Sequence, residues 1–174
     1  MDAIFKKIWT INAFFLAMAI LMINAFHIDT ATPYCLQQFT YDLYLGQEPT
    51  ENKTEHDVFT TQEKFKSHVT WKFVQVPGST KDYKITNDFE NHLLAVDKCK
   101  TNQYEGKVIT RVLDTDNSNI WTMDVEPSYA FVINKFSGQY LYAPNNGAHN
   151  LAITRPLAPV NQSLFKWQVI DCSV

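Results

Sequence analysis

Few side chains in this sequence stand where catalysis could use them. Downstream of residue 31 the histidines are His56, His68, His92 and His149, scattered and without a partner at ligand spacing, so no metal site is expected. Asp114 and Asp116 could act as paired carboxylates, but Asn117, Ser118 and Asn119 follow them and mark a solvated turn. Cys99 lies near His92 in sequence, yet nothing beside it would orient the imidazole for nucleophilic work. No nucleophile elbow, phosphate loop or Gly-rich dinucleotide turn occurs, so the expectation is no enzyme and no cofactor. Recognition chemistry remains. Asp97, Tyr104 and Asn119 form one candidate group, and Tyr142, Asn145 and Asn146, with His149 around Gly147, form another. Carboxylate, amide and aromatic groups on adjacent turns give directional hydrogen bonds plus a flat apolar face, which is what a sugar site needs. Pro144 to Gly147 also reads as a plain tight turn.

Groups this far apart need a scaffold, and the sequence writes one in triplicate. Tyr34-Cys35-Leu36, Leu43-Tyr44-Leu45, Val58-Phe59-Thr60 and Trp71-Lys72-Phe73-Val74 make the first unit. Tyr83-Lys84-Ile85, Leu93-Leu94-Ala95, Val108-Ile109-Thr110 and Trp121 to Val125 make the second. Tyr129-Ala130-Phe131, Tyr140-Leu141-Tyr142, Ala152-Ile153-Thr154 and Trp167 to Ile170 make the third. Trp71, Trp121 and Trp167 are 50 and 46 residues apart, and Phe39, Phe89 and Phe136 are 50 and 47 apart. Shared slots predict that indole and phenyl rings pack inside each unit. The segments are short and rich in Tyr, Phe, Val, Ile and Thr, with polar or Gly/Pro/Asn stretches between, which is strand and turn chemistry. Thr50 to Lys66 is the most helix-permissive stretch, but it reads as a polar connection.

Three such units predict an all-β protein, a β-trefoil: a threefold barrel capped by three hairpins, one repeat per lobe. The repeats span about 34–78, 79–127 and 128–174, within one domain of residues 32–174. Closing the sheet brings the first and last strands together, which favours a Cys35–Cys172 disulfide and leaves Cys99 over, although spacing alone does not fix the pairing.

The first residues differ in kind. Lys6 and Lys7 precede an apolar run from Ile8 to Phe26, which reads as a secretory signal peptide over residues 1–31, with Ala25 and Ala31 as small residues for cleavage and Ala31 preferred. An uncleaved anchor is the competing reading. Asn52-Lys53-Thr54 and Asn161-Gln162-Ser163 are glycosylation sequons. Net charge is −3 and no basic run stands out, so nucleic acid is not an expected partner. A secreted monomer is expected, off the membrane once the signal is removed.

Trp71-Lys72-Phe73-Val74-Gln75-Val76, a turn, then Tyr83-Lys84-Ile85-Thr86-Asn87 resembles the repeat junction of ricin-B-type lectin domains. Ser137-Gly138-Gln139-Tyr140-Leu141 is similar to the segment preceding their sugar-binding aspartate. The resemblance covers residues 34–174 and implies a carbohydrate-binding module. Two departures stand against it. The family's Gln-x-Trp is replaced by Val69-Thr70, Asn119-Ile120 and Phe165-Lys166 before the tryptophans, and its aspartate by Leu45, Ala95 and Tyr142. Neither Leu nor Ala can accept a sugar hydroxyl. The alternative is a secreted protein-binding effector or inhibitor, with the connection Gln47 to Ser67 as its recognition segment.

Overall fold

The structure, a computed structural model, describes residues 28–50, 53–64, 66–112, 116–144 and 147–173. The expected signal segment up to residue 27, the sequon residue Asn52, and Asn145 and Asn146 lie outside the described residues.

Short apolar runs between turn residues give short strands. They are β1 (Tyr34–Gln38), β2 (Tyr44–Gln47), β3 (Glu55–Thr61), β4 (Trp71–Gln75), β5 (Asp82–Asn87) and β6 (Leu93–Thr101). Then come β7 (Gly106–Arg111), β8 (Ile120–Val125), β9 (Ala130–Asn134), β10 (Tyr140–Tyr142), β11 (Ile153–Arg155) and β12 (Lys166–Asp171). Among the described residues all strand pairings are antiparallel and every long element is a strand, an all-β architecture.

The β-trefoil expectation is corrected by how these strands pair. The hairpins do not stand apart as caps. β3 pairs with β7 through Glu55↔Arg111 to Asp57↔Ile109, and β7 pairs with β11 through Lys107↔Ile153. The closing circuit therefore runs through them, in the order β1-β2-β3-β7-β11-β10-β9-β8-β5-β4 and back to β1. That is a ten-stranded antiparallel barrel with two extra strands: β6 pairs with β5 and β7, and β12 with β1 and β9. The physical reason is edge satisfaction, because hairpin strands left open would present unpaired backbone groups.

Local contacts repeat across the units. Each indole is fully buried and donates its N–H to a backbone carbonyl: Trp71 to Leu45 at 2.9 Å, Trp121 to Leu94 at 2.8 Å and Trp167 to Leu141 at 3.1 Å. A short 3-10 turn precedes each of these strands, at Ser67–Val69, Asn117–Asn119 and Gln162–Phe165. A buried amide anchors each turn: Asn87 donates to His68 O, Asn134 to Ser118 O and Gln38 to Ser163 O. Their side-chain oxygens accept from the next turn, at Phe89 N, Phe136 N and Thr40 N, so each buried polar group is satisfied at both ends. The tryptophans line one interior with Leu36, Phe73, Ile85, Leu94, Met123 and Leu141.

Three further observations bear on the sequence reading. Phe39 and Phe136 are 40% and 46% exposed, because the chain swings outward immediately after the buried amides Gln38 and Asn134. The Gln47–Ser67 connection is not a loop throughout, since β3 runs through its middle. Ile28, within the segment expected to be removed, is buried in the main core, and Asp29 N donates to Tyr34 Oη at 3.0 Å.

Cys35 and Cys172 form a disulfide, and Cys99 is free and exposed. The bridge staples β1 to the end of β12, whose pairing runs from Tyr34↔Asp171 to Gln38↔Trp167.

Candidate functional site

The four predicted ligand residues among the described ones, Asp97, Tyr104, Asn119 and Tyr142, sit in different surroundings. Asp97 lies on β6 and spends its carboxylate locally, accepting from Cys99 N at 3.0 Å with Lys100 Nζ 3.7 Å away. Tyr104, at the β6–β7 turn, is 70% exposed. Asn119 is fully buried in its 3-10 turn. Tyr142 is also buried, its ring 4.8 Å from Phe165 and beneath the Arg155 guanidinium at 5.1 Å. The slots where the family resemblance places an aspartate hold Leu45 and Ala95, both fully buried. A carboxylate at Leu45 would face the main core, and one at Ala95 would be buried on the face of β6 opposite Leu94 and Val96. Asp116, which stood as half of a candidate pair, serves a turn. Burial would push its carboxyl up, but Lys98, the Ser118 hydroxyl and N–H, and Arg111 hold it far below the usual range.

A different surface offers the recognition kit. An open pocket of about 400 Å³ is lined by Glu48, Pro49, Asp57, Phe59, Glu63, His68, His149 and Leu151. Strand alternation builds it: on β3, Val58 points into the core while Asp57 and Phe59 face the pocket. The strand is held there by a bridge between Phe59 and Leu151, by Thr60 N donating to Asn150 O at 2.9 Å, and by Ala152 N donating to Val58 O at 2.8 Å. Imidazoles flank the Phe59 ring on nearly parallel planes, His149 at 5.4 Å and 28°, His68 at 6.4 Å and 29°. His149 reaches this position from a left-handed backbone, φ 64°.

Each rim carboxylate has a basic neighbour. Glu48 pairs with Lys53 at 2.9 Å, Asp57 with Lys107 at 2.5 Å and Glu63 with His68 at 3.2 Å. Partial burial pushes the His68 imidazole below its ordinary pKa and outweighs the attraction of Glu63. The pocket thus offers carboxylate acceptors, ammonium donors and an aromatic face centred on Phe59. The sequence offers the Gln47–Ser67 connection and His149 as separate recognition candidates, and only the fold joins them, because the pocket's members come from separate stretches. The usable signal was Phe59, the aromatic residue beside Asp57 in the strand segment of an otherwise polar connection.

Facing away from this pocket on the same strand, His56 meets Glu90 and His92 of the β5–β6 turn. These histidines, which look scattered in sequence, have ring centroids 4.9 Å apart.

No family model matches the chain, and no curated protein sequence does. Solved structures do. The designed 3-fold symmetric protein ThreeFoil aligns with TM-score 0.71 and 17% identity, over 80% of this chain and 98% of that one. The exo-β-1,3-galactanase 1,3Gal43A from Clostridium thermocellum aligns with TM-score 0.69 and 16% identity, over 83% of this chain but only 31% of the enzyme. A salivary protein from Culex quiquefasciatus, of the Cysteine and Tryptophan-Rich (CWRC) family, aligns with TM-score 0.65 and 14% identity, over 86% of this chain and 100% of that one. At these identities the likeness is one of fold alone.

Proposed function

We propose that the protein is a secreted, non-catalytic, lectin-like module that binds carbohydrate in the pocket beside Phe59. The observation that carries this reading is the Phe59 ring flanked by His68 and His149, with Glu48, Asp57 and Glu63 around the opening. A pyranose presents an apolar face for such a surface and hydroxyls for such a rim. A galactanase carries a like fold in about a third of its length, which makes galactose-containing glycans the first to test. The disulfide fits an oxidising compartment, as does the exposed sequon residue Asn161.

The test is a glycan array probed with wild type, Glu63→Gln and His149→Asn; asparagine tolerates the left-handed backbone at 149. Binding in the wild type that either variant weakens supports the reading. An array without signal, or binding indifferent to both changes, sinks it. A second reading, a protein-binding effector, is favoured by the exposed Phe39 and Tyr41, with Tyr129 5.7 Å from Phe39. A pull-down from extracellular fluid that depends on Phe39 would select it.

A further inference from the structure

We propose that His56, Glu90 and His92 form a binding site for one divalent transition metal, zinc by preference, that ties β3 of the first unit to the β5–β6 turn of the second. One ligating atom from each residue lies within 4.8 Å of the other two. Glu90 Oε2 is 2.5 Å from His56 Nε2 and 3.6 Å from His92 Nδ1. The side chains are 0%, 18% and 8% exposed for His56, Glu90 and His92. Neither His56 Nε2 nor His92 Nδ1 makes a hydrogen bond of acceptable geometry, so two buried ring nitrogens converge on one carboxylate oxygen without the bonds that burial ordinarily demands.

Surrounding groups orient this set as the outer shell of a metal site does. His56 Nδ1 lies 3.3 Å from Thr50 Oγ1, and the tautomer in which Nδ1–H donates to that hydroxyl leaves the Nε2 lone pair facing Glu90. Gln47 Nε2 donates to Glu90 Oε2 at 3.2 Å, and Gln47 Oε1 accepts from Thr110 Oγ1 at 2.8 Å. The turn carrying Glu90 and His92 is itself fixed: Asn91 N donates to Asn87 O and Asn87 N to His92 O, each at 2.9 Å, with Asn91 at φ 58°. Lone pairs meeting in a poorly hydrated space repel unless a cation lies between them.

Two imidazoles and a carboxylate suit zinc, whose bonds of about 2.1 Å put tetrahedral ligands roughly 3.4 Å apart. Reaching that spacing asks for side-chain shifts of roughly 1 Å. Glu90, the most exposed ligand, leaves the fourth position to water from its side.

The experiment uses the full chain, purified without metal-affinity steps, stripped with EDTA and titrated with zinc chloride against a chromophoric chelator. Cobalt(II) chloride serves as the visible probe. One zinc per chain is expected, with the visible absorption of tetrahedral cobalt and a thermal midpoint that rises with zinc. His92→Asn and Glu90→Gln lose more than about 100-fold in zinc affinity, and Thr50→Val about 10-fold. His68→Asn and His149→Asn bind as wild type. A wild-type chain that takes up less than about 0.2 zinc overturns the proposal and leaves a proton-bridged cluster. So does wild-type affinity in both ligand variants. If His92→Asn fails to fold, the near-isosteric Glu90→Gln decides alone.

Discussion

Replacing Cys35 and Cys172 together by alanine should remove about 5 kcal/mol of stability. The bridge spans 137 residues, and the chain-entropy relation for a loop of that length gives about 5 kcal/mol at 25 °C. Packing changes add little, because both side chains sit in a small buried cluster with Tyr44 and Val69 that alanine partly refills. A small domain holds only about 5–15 kcal/mol in total, so the loss is a large share of it. It corresponds to a fall in thermal midpoint on the order of 10–20 °C. Urea unfolding of the oxidised protein, the reduced protein and the double variant measures this, with Cys99→Ser as an unaffected control. A loss under about 1 kcal/mol at unchanged m-value would refute the reasoning, since the unfolded chain would then gain no freedom from the cut.

Trp121→Phe keeps most of the ring but orphans the buried Leu94 carbonyl, and should cost about 1–3 kcal/mol by urea unfolding. Ile28→Ala should cost about 2–5 kcal/mol; on the secreted reading proposed above, N-terminal sequencing of the chain should find Ile28 retained, with cleavage after Ala25 in place of Ala31. His68 is held below its ordinary pKa of 6.5, so the unfolded chain binds the proton more readily. Stability therefore falls as pH drops below about 6.5, and chemical denaturation across pH 7.5 to 5.5 should show a shallower slope in His68→Gln. Asp82 is held low mainly by Lys135 and the Thr122 hydroxyl, so its contribution is present at neutral pH and lost below about pH 4; Asp82→Asn should flatten the acid limb of that curve.

The tryptophan slots were legible because an indole that must bury its ring and satisfy its N–H tolerates few alternatives. The Cys35–Cys172 pairing followed from strand closure, which the structure shows directly. The closing order was not legible: hairpin-to-hairpin pairing such as His56↔Thr110 is backbone hydrogen bonding that leaves little trace in side-chain pattern. The outward turn of Phe39 and Phe136 was hidden for a related reason, since the residues that decide it, Gln38 and Asn134, are polar and look like surface. His56 and His92 lie 36 residues apart in sequence, so only tertiary pairing brings them together. Glu90-x-His92 was the readable half of that cluster.

Because the first and last strands lie side by side, the fold has no privileged starting point. A linker joining residue 173 to residue 28, so that the buried Ile28 is kept, with the chain opened at the exposed Pro77-Gly78 turn, would give a circular permutant that keeps the strand pairings described above. The two ends of the described barrel lie together, Cys172 N donating to Pro33 O at 3.0 Å, which makes the barrel suitable for insertion whole into a loop of a host protein.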